Sequence, residues 1–193
     1  MKDYIVYDFD GTIYDGDSSI DFFIFCLKRH PKAFAVLPKL ILYTFRYLFK
    51  LCSKEELKEH FFAVVKYVPD INLEVSCFWE KHLNKIFNWY SIKEHTYDVI
   101  VSASPEFLLS PLLKNYNVLS VIATKVNPMT GKFLSPNCYG QEKITRLIQQ
   151  FDNILIREFY FDSDSDLPLA ALSICSYRVC DGKPQRTIVS KLQ

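Results

Sequence analysis

Two carboxylates stand one residue apart in Asp8-Phe9-Asp10-Gly11-Thr12, at the end of an apolar run, Tyr4 to Phe9, that reads as a short buried strand. A side-chain period of two places Asp8 and Asp10 on one side, where each raises the proton affinity of the other unless a cation lies between them. A hard divalent ion with oxygen ligands, Mg2+ above all, answers that repulsion, and Asp162 can supply a third carboxylate. Gly11 lets the backbone turn sharply beside a ligand. Three further groups suit an anion. Ser102 ends a second apolar run, Lys143 opens a helical stretch, and Asp162-Ser163-Asp164-Ser165-Asp166 follows a third run. Each also has an ordinary reading: Ser104-Pro105 as a helix start, Lys143 as a solvated helix charge, the acidic run as a loop in which Asp166 caps the next helix.

These groups need strands that end together. Continuous apolar runs at 96–102, 118–126, 154–161 and 177–180 read as buried strands alongside the first. Helical stretches follow at 105–116, 141–150 and 167–175. The alternation predicts an α/β fold with a parallel sheet covered on both faces, whose ligands gather beyond the carboxyl ends of the strands. Residues 18–90 hold no convincing strand and three or four helical blocks; Ser53-Lys54-Glu55-Glu56 is a capping box, and Pro69-Asp70 separates two blocks. The expected organisation is a core of 1–17 and 91–193 with a helical cap over 18–90. Asn127 to Asn137, with Pro128, Gly131 and Pro136, predicts a small hairpin.

Composition narrows the partners. The chain has 193 residues, 23 basic against 22 acidic, and a formal net charge of +1, so no global field draws nucleic acid to it. Six cysteines show no C-x-x-C pair and four histidines no short ligand spacing, which predicts buried reduced thiols in a cytoplasmic protein. No charged-then-apolar leader precedes the first strand, which supports the same expectation.

In order, D-x-D-G-T, a strand-end serine, a lysine and D-S-x-x-D resemble the four motifs of the haloacid dehalogenase superfamily, over Asp3 to Ala170. The resemblance implies a Rossmann-like core and a Mg2+-dependent phosphomonoesterase working through an aspartyl-phosphate. It makes Asp8 the nucleophile and Asp10 the general acid and then base. Ser102, Ala103, Lys143, Gly11 and Thr12 would hold the phosphoryl group. Asp8, the backbone carbonyl of Asp10 and Asp162 would hold the metal, with Asp166 and Ser163 behind them. Asp10 favours phosphate-ester hydrolysis, because the dehalogenases of the superfamily lack that second aspartate. Phe161 and the additional Asp164 depart from the common pattern. A cap between the first two motifs is similar to the phosphoserine phosphatase branch, in which Asp17 would touch substrate or cap; it can equally cap the first helix.

Residues 30–50 carry Lys32, Lys39, Arg46 and Lys50 at intervals of seven, seven and four, one stripe on a helix of about 100° per residue, with nearly everything else apolar. Four charges and Pro38 argue against a membrane span. Either this helix is buried on most sides, or it lies in a membrane surface with its basic stripe at anionic headgroups. Arg29-His30-Pro31 and the apolar helix after it are also loosely similar to the phosphatidylglycerophosphatase C family, which removes phosphate from a phospholipid. The substrate expected is therefore a phospholipid phosphate such as phosphatidylglycerophosphate, or a small metabolite such as phosphoserine. The alternative classes are a receiver-like signalling module and a non-catalytic protein that binds phosphate or a membrane surface.

Overall fold

The computed structural model describes residues 3–189. Strand β1 (Asp3–Tyr7) is followed by a helical stretch: α1 (Ser18–Arg29), α2 (Leu37–Leu48), α3 (Lys54–Phe62), α4 (Ile71–His82) and α5 (Asn88–Ser91). The rest alternates: β2 (Asp98–Pro105), α6 (Glu106–Asn115), β3 (Ser120–Thr124), α7 (Gln141–Gln150), β4 (Leu155–Phe161), α8 (Leu167–Ala170), β5 (Cys175–Cys180) and β6 (Lys183–Thr187). The six strands form one sheet in the order β3-β2-β1-β4-β5-β6. All pairs are parallel except β5 with β6. This is the α/β Rossmann-like architecture with an inserted helical segment that the sequence predicts.

The central strands are apolar because helices and the insertion cover them. Val99, Ile100 and Val101 are fully buried, as are Val6, Tyr7, Phe159 and Phe161. Two core clusters result. One, around Tyr7, Phe9, Tyr14, Phe78 and Leu108, joins the sheet to the inserted helices, and the other, around Val6, Val99, Leu147 and Phe159, lies under α7 and α8. Caps fix the insertion locally. The Ser53–Glu56 box is complete, with Glu56 N–H on Ser53 Oγ at 3.0 Å and Ser53 N–H on Glu56 Oε2 at 2.9 Å. Asp70 caps α4 through Asn72 and Leu73. The predicted hairpin is present as paired backbone bonds, Asn127 N–H to Lys132 and Leu134 N–H to Lys125.

Several expectations are corrected. The 30–50 segment is not one helix: Pro31–Val36 is a 3-10 turn, α2 spans only Leu37–Leu48, and Lys50 adopts a left-handed conformation beyond it. Pro38 sits in the first turn of α2, where a proline fits, so no kink arises. The four-cation stripe reduces to Lys39 and Arg46 on α2, with Lys32 and Lys50 outside it, and burial on most sides is overturned, since no residue of α2 is buried. The helix expected at 167–175 stops at Ala170, because Cys175 already pairs with Glu158 in the sheet. Strand β6 was not expected: its polar, proline-containing sequence suits only an edge, where Pro184 need not donate to a further strand. All six cysteines are free, but only Cys26 and Cys138 are buried, and Cys180 is exposed. Among the described residues no helix is long and apolar enough to cross a membrane.

Candidate active site

Beyond the carboxyl ends of β1, β2 and β4 lies a cavity of about 530 Å³, bounded on its other side by α1, α2 and α3. Asp8 leaves β1 with its N–H on the Tyr160 carbonyl at 2.9 Å, and its carboxylate turns toward α7. Lys143 Nζ meets Asp8 Oδ1 at 2.7 Å and the Asp166 carboxylate at 2.8 Å. Lys143 is 3% exposed. Burial works against its ammonium, yet Asp8 and Asp166 outweigh that cost and hold its pKa above the ordinary lysine value. It is not a solvated helix charge.

The carboxylates of Asp8, Asp162 and Asp166 converge within 4.8 Å of one another. Burial first, and then the Asp8 charge, pushes both Asp162 and Asp166 up to about 6. Asp166 Oδ1 is buried, with the Lys143 ammonium 2.8 Å away. One ammonium against three carboxylates leaves negative charge uncompensated, so this donor set fits a hard divalent cation. The carboxylate of Asp10 lies outside the cluster, and that of Asp166 lies inside it. Asp164 turns outward to Arg178, 2.8 Å away, and takes no part.

Asp10 serves a different environment. It accepts the Ser18 N–H at 2.6 Å and the Ser104 hydroxyl at 2.5 Å. Those bonds favour its charged form, but burial and then the Asp17 charge prevail and raise its pKa to about 7. The repulsion anticipated between Asp8 and Asp10 is thus replaced by two separate settlements: Asp8 leans on Lys143, while Asp10 is pressed by Asp17. Asp17 caps α1 through Ile20 N–H at 3.0 Å and also lines the cavity.

Ser102 and Ala103 line the cavity, and Ser163 borders it with its hydroxyl 2.6 Å from that of Ser165. Ser104 was expected to cap a helix and does not. The β2–β3 register shifts between Ser102 and Pro105, a bulge that takes up two extra residues of β2, Ala103 and Ser104, and aims the Ser104 side chain at Asp10 and Ser19. Gly11 and Thr12 are corrected as well. Neither lines the cavity: the Gly11 N–H is engaged by the Tyr14 and Gly16 carbonyls, and Thr12 is wholly buried. Gly11 matters instead for space, because a Cβ there would stand 2.3 Å from Asp162 Oδ2 at a φ of +71°. We expect Gly11→Ala to cost about 1–2 kcal/mol from the left-handed backbone alone. It should also displace Asp162, read as weakened Mg2+ binding in titration calorimetry.

The inserted helices bring residues that no local pattern announces. Lys58 of α3 donates to the Ala103 carbonyl at 3.2 Å and to Asn137 Oδ1 at 3.1 Å. Burial, followed by Lys54, lowers its pKa to about 8. Thr124 Oγ1 braces the same carbonyl at 2.9 Å. Ile20, Leu40, Leu57, Phe61 and Phe62 form an apolar wall facing the carboxylates.

A family profile described as haloacid dehalogenase-like hydrolase matches residues 5–171. No protein with a curated description matches the sequence. Among solved structures, a protein of unknown function from Bordetella pertussis Tohama I superposes with a TM-score of 0.68 at 17% identity, covering 91% of this chain and 89% of that one. A phosphoserine phosphohydrolase-like protein from Francisella tularensis subsp. tularensis SCHU S4 gives 0.56 at 15%, covering 91% and 86%. A substrate-bound phosphoserine phosphatase gives 0.55 at 11%, covering 91% and 85%. At such identities the likeness is one of fold, while the profile spans most of the chain and includes Asp8, Asp10, Ser102, Lys143 and Asp162. On that match the chain belongs to the haloacid dehalogenase-like hydrolase family.

Proposed function

We propose that the protein is a Mg2+-dependent phosphomonoesterase that works through an aspartyl-phosphate on Asp8, with the inserted helices as its cap. The observation that carries this reading is the division of labour between the two aspartates: Asp8 lies 2.7 Å from the Lys143 ammonium at the cavity, and Asp10 is pushed to about 7, where it can both give and take a proton near neutrality. Asp8 attacks phosphorus, and the ester oxygen departs with the proton of Asp10. Asp10, now a carboxylate, takes a proton from water, which attacks the acyl phosphate; inorganic phosphate leaves, and both side chains are restored. Lys143 and Ser102 would steady the transferring oxygens. Asp8, Asp162 and the carbonyl of Asp10 would hold Mg2+, with Asp166 in reach. The ion would supply positive charge for the phosphoryl oxygens. The substrate is a phospholipid phosphate, such as phosphatidylglycerophosphate, or a small metabolite such as phosphoserine. The apolar cavity wall favours the former.

The test is phosphate release from an aryl phosphate, expected only with Mg2+ and strongly reduced by Asp10→Asn; turnover without any divalent cation would contradict the reading. The raised carboxyls add a pH dependence. Protons compete with the cation wherever Asp162 and Asp166 are protonated, so apparent Mg2+ affinity should fall below pH 6 by about tenfold per pH unit for each carboxyl that must lose its proton. For the metal-free protein the sign is the reverse of ordinary acid unfolding. A folded-state pKa raised above 3.8 contributes stability that is complete below that value and lost as pH rises through about 6. Thermal melts of the metal-free protein against Asp162→Asn should therefore diverge as pH rises from 4 to 7, the variant losing less and gaining nothing from added Mg2+.

A further inference from the structure

The α2 helix has two unlike sides. Leu40, Thr44 and Tyr47, spaced as i, i+4 and i+7, line the cavity. Ile41, Leu42, Phe45, Leu48 and the following Phe49 face solvent with between 55% and 73% of their surface exposed. At about 100° per residue, Ile41, Phe45 and Leu48 share an arc about 60° wide, roughly opposite Lys39 and Arg46. Apolar side chains of this size, left uncovered together on one helix, mark a surface meant for contact. The charge around it has one sign. From Phe22 through Lys54 the chain contains Lys28, Arg29, Lys32, Lys39, Arg46, Lys50 and Lys54 and no carboxylate. Arg29 is paired with Glu74, and Lys54 sits over the Tyr139 ring. Lys32, Lys39, Arg46 and Lys50 form no ion pair among the described residues.

We infer that α2 seats the protein on the surface of an anionic lipid bilayer, its exposed apolar arc among the upper acyl chains and its cations at the headgroups. The amphipathic arrangement is that of a helix lying in the interface: apolar on one arc, basic on the face roughly opposite, and too short to span. A second copy of the chain is the poorer occupant, because a two-fold contact through α2 would bring together two copies of a stretch, Phe22 to Lys54, that carries seven cations and no carboxylate. An acidic partner for these cations is needed, together with an apolar one, and an anionic bilayer offers both. The surface also continues into the cavity, since the two sides of α2 are separated only by the width of one helix. Docking is independent of phosphoryl chemistry, so the two readings can fail separately.

Flotation with vesicles of phosphatidylcholine and phosphatidylglycerol in equal parts tests it, with vesicles of phosphatidylcholine alone as comparison. The full chain should float with the anionic vesicles and remain behind with the neutral ones. Lys39→Glu/Arg46→Glu should weaken binding by about thirtyfold or more, and Phe45→Glu/Leu48→Glu should abolish it. Neither pair lines the cavity, so both variants should turn over a soluble aryl phosphate at the wild-type rate. Absence of flotation with anionic vesicles would overturn the inference, as would equal flotation of wild type and both variants. So would a wild-type dimer that Phe45→Glu/Leu48→Glu dissolves while vesicles bind neither form. Vesicle binding by a protein that releases no phosphate from any ester would uphold docking and remove the reaction.

Discussion

Asp8→Asn should lower kcat on any phosphate monoester by at least about 10^4-fold while the fold survives. The substitution is nearly isosteric, and the amide can still lie beside Lys143, but its oxygen cannot displace an alkoxide from phosphorus. The loss should appear in kcat and in kcat/KM alike, because the missing bond exists only after the ground state. Removing one of three crowded carboxylates also relieves repulsion on Asp162 and Asp166, whose raised pKa values trace in part to Asp8. Denaturant unfolding of the metal-free variant should therefore show stability equal to or above wild type at pH 7. A dead enzyme that is also unfolded would not carry the point; a stable dead enzyme does.

Lys143→Met should have the opposite balance, costing stability and activity together. Lys143 is buried between Asp8 and Asp166, and removing one member of a buried ion pair leaves charges without a counterpart, at about 3–5 kcal/mol. Some of that cost is returned as Asp166 takes up a proton, since its pKa already stands at about 6. Added Mg2+ should restore a further part by taking over the charge balance. Turnover should not return with it, because the ammonium is aimed at the place where transferring oxygens gain charge, a loss of about 10²–10³-fold or more. The paired measurements are urea denaturation with and without Mg2+ and kcat on an aryl phosphate. A variant with near-normal kcat would remove Lys143 from the site.

What the sequence discloses of this site follows from strand ends. Asp8 and Asp162 are legible because each directly follows a strand whose apolar pattern is unmistakable, and Lys143 because it lies in the first turn of a helix; the parallel order brings the strand ends together. Ser104 was not, because Ser-Pro before a helical pattern has the signature of a cap, and the bulge that turns its hydroxyl toward Asp10 depends on the register with β3. The same limit hid Lys58, one of two lysines in the charged α3, which reaches Ala103 and Asn137 only once the insertion has folded over the sheet. Asp164 and Asp166 look alike in the sequence, yet Arg178 draws one outward and Lys143 draws the other inward. Helix α2 was recognised as apolar and basic, but whether anything covers it is a property of the whole molecule.

The central claim, a covalent phosphoryl group on Asp8, is most directly tested with Asp10→Asn and an aryl phosphate. This leaving group needs little protonation, so the first step should proceed, while the second lacks the base that activates water. Acid quench within a single turnover, followed by peptide mass mapping, should find the phosphoryl group on the peptide containing Asp8, accumulating in Asp10→Asn and absent from Asp8→Asn. Release of phosphate within that turnover with no protein-bound phosphoryl group, or with the group on another residue, would contradict the account.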